Sequence, residues 1–179
     1  MKFRCEREAL SEAIGSAGRA VASRSGALPI LSGLLVDARA EAVVLAGSDL
    51  ELTIRVSAPA DLEEPGKAVL PARLFGDIVR ALEPGAVSVE VGDDEAQIRS
   101  GRSSFSLRVL PADDFPRLPQ LAGGGVRMEA AALAEALRQV IPAASRDDAR
   151  PILTGVLLVP EGSGLRLVAT DSYRLAVRD

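Results

Sequence analysis

The sequence predicts an α+β fold built from a repeated β-α-β-β-β unit, with helices packed on one face of antiparallel sheets. Three observations carry this. The stretch Pro29-Ile30-Leu31-Ser32-Gly33-Leu34-Leu35 returns as Pro151-Ile152-Leu153-Thr154-Gly155-Val156-Leu157, and at the same offset of 122 positions Leu45, Ser48 and Asp49 meet Leu167, Thr170 and Asp171. Helical and strand periodicities alternate in one order three times along the chain. Each helix has a single apolar stripe, which must rest on another layer.

The elements follow in order. A strand at Lys2 to Cys5 leads into a helix near Arg7 to Val21, whose Leu10, Ala13, Ile14, Ala17 and Val21 recur at helical spacing. Strands are expected near Leu31 to Asp37, Ala42 to Ala46 and Glu51 to Val56. The second pass has a strand at Ala68 to Leu70, a helix at Ala72 to Leu82 and strands near Val87 to Val91, Glu95 to Arg99 and Ser104 to Leu110. Pro71 suits the first turn of that helix, where its missing N–H is not needed. The third pass has a strand at Val126 to Glu129, a helix near Ala131 to Ile141 and strands near Thr154 to Val159, Leu165 to Ala169 and Tyr173 to Val177. The Pro-rich stretch Pro111 to Pro119 and Gly123-Gly124-Gly125 read as a linker, so residues 1–122 form one whole domain and 123–179 about half of another.

Composition narrows the function. With 47% apolar and 26% charged residues among 179, the chain reads as soluble, globular and intracellular, without a signal pattern or a membrane-length apolar run. The single Cys5 excludes an internal disulfide and reads as a small core residue. The net charge of -4 argues against a surface coated in positive charge, but a local basic face is compatible with it. Histidine is absent, which removes the commonest general base and zinc ligand, and no phosphate-binding loop or nucleophile elbow is present. Asp49 and Asp171 each follow Ser or Thr at a strand end, where turn hydrogen bonding accounts for them. Neither an enzyme nor a metal or cofactor site is expected.

Arginines form two groups. Arg73 and Arg80 share a helix face opposite Leu74, Ile78 and Leu82, while Arg7 and Arg138 fall on polar stripes of the other helices. Cations on rigid supports suit a phosphate backbone contacted without base reading; equally, these arginines suit a solvated surface paired with Glu8, Glu12, Asp77 and Glu135. Arg19 and Arg24 precede the first Pro-Ile-Leu motif as Arg146 and Arg150 precede the second, which suggests either a shared ligand or ordinary loop solubility.

A family resemblance then emerges. Met1-Lys2-Phe3, Leu28-Pro29-Ile30-Leu31, Gly47-Ser48-Asp49-Leu50-Glu51, Val69-Leu70-Pro71-Ala72-Arg73, Arg99-Ser100-Gly101-Arg102-Ser103, Leu110-Pro111-Ala112-Asp113-Asp114-Phe115-Pro116 and Ala169-Thr170-Asp171-Ser172-Tyr173-Arg174-Leu175-Ala176 occur in this order across the chain. Together they resemble the bacterial DNA polymerase III beta subunit, the replicative sliding clamp, over its first domain and the first half of its second.

The resemblance implies a DNA clamp fold and a non-catalytic, cytoplasmic, nucleoid-associated processivity factor. Family members pair head to tail into a homodimeric ring around duplex DNA, without sequence preference. It implies DNA contact by Arg24, Arg73 and Arg80, and in the Arg146 to Ile152 loop by Arg146 and Arg150; Asp147, Pro151 and Ile152 stand where some members have a glutamine and paired tyrosines. Leu153, Thr170, Ser172, Tyr173, Arg174 and Leu175 match the wall of a pocket that captures short motifs of partners. Those partners are the replicative polymerase alpha subunit, the clamp loader, repair polymerases and mismatch-repair proteins. Ser172 and Tyr173 depart from the Gly and variable residue usual there. Leu74, Ile78, Phe105 and Leu107 match ring-interface positions. Two other readings stay open: a peptide-binding adaptor or clamp remnant that does not encircle DNA, and a hydrolase dependent on Asp49 or Asp171.

Overall fold

The computed structural model describes residues 1–22, 28–118, 127–162 and 164–179. The chain divides into two compact units, Met1–Gln120 and Leu121–Asp179.

In the first unit, the order is β1 (Lys2–Glu6), α1 (Arg7–Ala17), β2 (Gly33–Arg39), β3 (Ala42–Ser48), β4 (Thr53–Pro59), β5 (Asp61–Glu64), β6 (Gly66–Pro71), α2 (Ala72–Ala81), β7 (Ala86–Val91), β8 (Glu95–Ser100) and β9 (Ser103–Arg108). The strands form two antiparallel sheets, β5-β1-β7-β8-β9 and β4-β3-β2-β6. The two sequence passes therefore exchange strands. β1, from the first pass, pairs with β7 through Lys2↔Glu90 to Glu6↔Ala86, whereas β6, from the second, pairs with β2 through Gly33↔Pro71 to Ala38↔Gly66. Neither pass can unfold without opening the other's sheet.

Helices α1 and α2 pack beside each other and against the strands. Leu10, Ile14, Phe75 and Val79 join Phe3, Val36, Leu45, Val87 and Ile98 in one core, each apolar stripe being removed from water by the sheets. Two glycines permit the close approach. A Cβ at Gly47 would lie 2.2 Å from the Ala17 carbonyl oxygen, and one at Gly76 would lie 3.2 Å from Cγ2 of Ile14. Cys5 is buried in this core; its thiol lies 3.1 Å from the Pro59 carbonyl, and burial pushes its pKa up.

The second unit holds α3 (Ala130–Val140), β10 (Leu157–Glu161), β11 (Gly164–Thr170) and β12 (Leu175–Arg178), with a sheet ordered β10-β11-β12. Its core is smaller, formed by Ala136, Val140, Ala143, Leu167 and Ala169.

Several expected boundaries change. The first helix gives way at Gly18 to a 3-10 turn, Gly18–Ala20. β4 starts at Thr53 and β12 at Leu175, because hydrogen-bonded turns occupy the preceding residues. β10 starts at Leu157, as Pro151–Leu153 form a 3-10 turn. β5 was not expected: Asp-Leu-Glu-Glu is too polar to show alternation, and only its pairing with β1 makes it a strand. Of the strand expected at Val126 to Glu129, Val126 lies outside the described residues and Arg127 to Glu129 are irregular. Their counterpart β1 has a ladder on each side, and among the described residues these have none.

The expected linker also differs in part. Phe115 is buried against Leu31 and Val69, which fastens this stretch to the first unit. Gly123, Gly124 and Gly125 lie outside the described residues.

Candidate nucleic-acid interface and partner pocket

Helix α2 carries three stripes at about 100° per residue. Phe75 and Val79 point into the core, Leu74 and Ile78 lie to one side, and Arg73, Asp77 and Arg80 form the polar stripe. The Arg73 side chain is 94% exposed and Arg80 64%. Asp77 bridges them, with Oδ1 accepting from Nη2 of Arg80 at 2.5 Å and Oδ2 lying 3.9 Å from Nε of Arg73. Arg138 on α3 pairs with Glu135 at 2.6 Å. Arg7 differs from a polar-stripe arginine: it is mostly covered, ion-paired to Glu8 at 2.7 Å, and its Nε is buried without a hydrogen-bond partner among the described residues. Arg24 lies outside the described residues.

The loop after α3 is ordered by its own side chains. Ser145 Oγ accepts from the Asp147 N–H at 3.1 Å, Asp147 Oδ1 from the Ala149 N–H at 3.0 Å, and Asp147 Oδ2 from Nε of Arg150 at 3.1 Å. Asp147 thus shapes the loop and offers nothing to a phosphate. Arg146 is exposed and makes no ion pair among the described residues.

A second turn faces this loop. Asp171 Oδ1 accepts from the N–H groups of Tyr173 and Arg174, both at 3.0 Å, and its Oδ2 from Nε of Arg174. Backbone hydrogen bonds hold its carboxyl below the usual carboxylate range. Thr170 Oγ1 donates to the Arg174 carbonyl at 2.7 Å and accepts from the Ser172 N–H at 3.1 Å, so its hydroxyl is spent on the turn. Arg150 reaches Ser172 Oγ at 3.4 Å. The two turns flank a shallow, open cleft of about 390 Å³ lined by Arg146, Arg150 and Arg174 together with Asp147, Asp171 and Tyr173, the last 92% exposed. The structure thus joins residues expected for DNA with residues expected for the pocket. Leu153, Thr170, Ser172 and Leu175 lie outside the cleft lining; Leu153 and Thr170 are half-buried, Leu175 exposed.

Along the ring-interface positions, β9 is an edge strand, with one side of its backbone unpaired within the sheet. Leu74 and Phe105 are exposed and Ile78 half-buried. Leu107 is a correction. Its side chain is 5% exposed and belongs to the core, because the inward face of β9 is covered at Leu107.

Asp49 repeats the role of Asp171: its Oδ1 accepts from Glu51 at 3.0 Å and Leu52 at 2.7 Å. Both aspartates are turn residues. No cluster of three or more His, Cys, Asp or Glu suited to a metal occurs among the described residues.

Residues 1–119 match the N-terminal domain of the DNA polymerase III beta subunit and residues 127–179 its central domain. The chain belongs to this family. Beta subunits of this family are non-catalytic accessory proteins of DNA replication, which agrees with the structural roles of Asp49 and Asp171. The chain is 40% identical to a beta sliding clamp of Micrococcus luteus over all 179 residues, and 38% identical to the beta sliding clamp homolog GriR of Streptomyces muensis. These alignments cover all of this chain but 57% and 48% of those proteins. The solved sliding clamp of Bacillus subtilis superposes with a TM-score of 0.92 at 37% identity, covering 99% of this chain and 49% of that one. A Pseudomonas aeruginosa clamp solved with griselimycin bound gives 0.88 at 33%, covering 99% and 48%. The chain thus spans about half the length of the relatives it matches.

Asp77 and Glu135 pair with arginines as the sequence allowed, whereas the pairing of Asp147 with Arg150 was not expected, Asp147 having been read only as standing where some relatives have a glutamine. The available signal was spacing: each stands three residues before an arginine, the distance at which helix or turn neighbours meet.

Proposed function

We propose that this chain supplies the first domain, residues 1–122, and the first half of the second, residues 123–179, of a DNA sliding clamp. In this reading two complete subunits close head to tail around duplex DNA. The β9 edge with Leu74, Ile78 and Phe105 joins the neighbouring subunit, as an exposed ladder of N–H and C=O groups accepts a strand. Arg24, Arg73, Arg80, Arg146 and Arg150 face the duplex. They touch phosphates and read no bases, so the ring is held by enclosure and remains free to slide.

The face formed by Leu153, Thr170, Ser172, Tyr173, Arg174 and Leu175 takes short linear motifs of the replicative polymerase alpha subunit, the clamp loader, repair polymerases and mismatch-repair proteins. A partner held there stays near the template at high effective concentration. The griselimycin-bound Pseudomonas aeruginosa clamp supports a ligand-binding role for the family fold. The protein acts in the cytoplasm, at the nucleoid; no helix among the described residues is long and apolar enough to cross a membrane.

The match of both units to consecutive beta subunit domains carries this reading. Its test is topological. The native polypeptide, with its mass measured intact from the source cell, is loaded onto nicked circular DNA and followed by gel filtration before and after the circle is cut. Retention on the circle and loss from the linear form are expected. Equal, rapid loss from both would overturn encirclement and leave a non-encircling peptide-binding adaptor or clamp remnant.

A further inference from the structure

Asp77 links the two arginines of α2 through a single carboxylate, one oxygen facing each. Among the described residues, neither arginine makes a second ion pair. The stripe therefore presents a net single positive charge where two arginines alone would present two. We infer that Asp77 is a brake on duplex binding: it occupies Arg73 and Arg80 with an internal partner that a phosphate must displace, and so keeps the contact weak enough for sliding. The inference rests on the duplex-binding reading above.

All three side chains are largely solvated, so exchanging carboxylate for phosphate costs little in either direction. A guanidinium that leaves one phosphate finds Asp77 at once, which lowers the cost of letting go. Removing the carboxylate would leave one more uncompensated charge within about a Debye length of the backbone it meets.

The arrangement recurs, which separates it from a chance surface pair. Arg80, Arg138, Arg150 and Arg174 each pair with an acid three residues before them: Asp77, Glu135, Asp147 and Asp171. Arg80 and Arg150 belong to the set proposed to face DNA, and both carry this built-in competitor. Arg146 does not, and its charge is uncompensated among the described residues. Asp77 differs from the other three in serving two arginines.

Asp77 is a positioning residue, and salt dependence separates its proposed role from a structural one. The 179-residue chain is titrated against a fluorescein-labelled short duplex of arbitrary sequence, by anisotropy, between about 50 and 200 mM salt. Asp77→Asn is expected to bind about threefold to tenfold tighter at the low end and to steepen the salt slope by about 1, with an unchanged thermal melt; Asp77→Glu is expected to restore wild-type binding. Equal or weaker binding by Asp77→Asn with an unchanged slope would overturn the brake. The double variant Arg73→Ala, Arg80→Ala locates the failure. If it abolishes binding while Asp77→Asn does not tighten it, only the brake is lost; if it leaves wild-type binding unchanged, the duplex reading of α2 falls and the brake with it.

Discussion

Asp49 and Asp171 stand 122 positions apart and build the same turn. Each Oδ1 accepts the N–H groups two and three residues ahead, those of Glu51 and Leu52 in one case and Tyr173 and Arg174 in the other. The preceding hydroxyls agree as well, Ser48 Oγ accepting from Leu50 and Thr170 Oγ1 from Ser172. Between them sit Leu50 and Ser172 at φ of 80° and 78°. An upstream bond repeats too, from Ser32 Oγ to the Pro29 carbonyl and from Thr154 Oγ1 to the Pro151 carbonyl. The sequence repeat is thus a repeat of hydrogen-bonded turns.

The two turn carboxyls make stability depend on pH with a determined sign. Backbone hydrogen bonds lower the folded-state pKa of Asp49 and Asp171. Their contribution is therefore present in full above the unfolded value of about 3.9 and is lost as pH falls through the folded value. Asp49→Ala should lower Tm most at neutral pH, and its gap from the wild type should close in acid. A gap that widens below about pH 4 would contradict this assignment.

Left-handed backbone at Leu50 and Ser172 predicts opposite responses to glycine and to a β-branched side chain. Ser172→Gly should be neutral or stabilising by up to about 1 kcal/mol, whereas Ser172→Val should destabilise by about 1–2 kcal/mol, because an L side chain there crowds the following carbonyl. Urea unfolding of both variants decides it.

Gly47 and Gly15 should respond to alanine with opposite signs. At Gly47 the new Cβ meets the Ala17 carbonyl at 2.2 Å, so α1 must shift off β3, and a loss of about 2 kcal/mol or more is expected. At Gly15, inside α1, nothing lies within 4 Å, and Gly15→Ala should gain about 0.5–1 kcal/mol through helix propensity. Thermal melts of the two variants give the comparison.

Leu74 and Leu107, both matched to ring-interface positions, should separate by burial. Leu107→Ala should cost about 2–4 kcal/mol by opening a cavity, and Leu74→Ala should stay within about 0.5 kcal/mol. Under the clamp reading, Leu74→Lys should weaken association of full-length subunits without lowering the stability of the fold, a pairing of results read by sedimentation and calorimetry.

By itself the sequence determined the repeat, the fold class, the helices around Leu10 and Phe75, and the turn roles of Asp49 and Asp171. These are local facts: a helix face is set by residues three and four apart, and an Asx turn by an aspartate and the next three positions. Only the tertiary structure decided that β1 and β6 trade places between the two sheets, that Asp-Leu-Glu-Glu becomes an edge strand, and that the cover over one face of β9 buries Leu107 but leaves Phe105, on the same face, exposed. It also decided that the Arg146 loop and the Asp171 turn share one cleft. The physical reason is that a strand's ladder donors and acceptors are the same for every partner. Which backbone they meet is chosen by the packing of distant segments, and no short window of residues contains that choice.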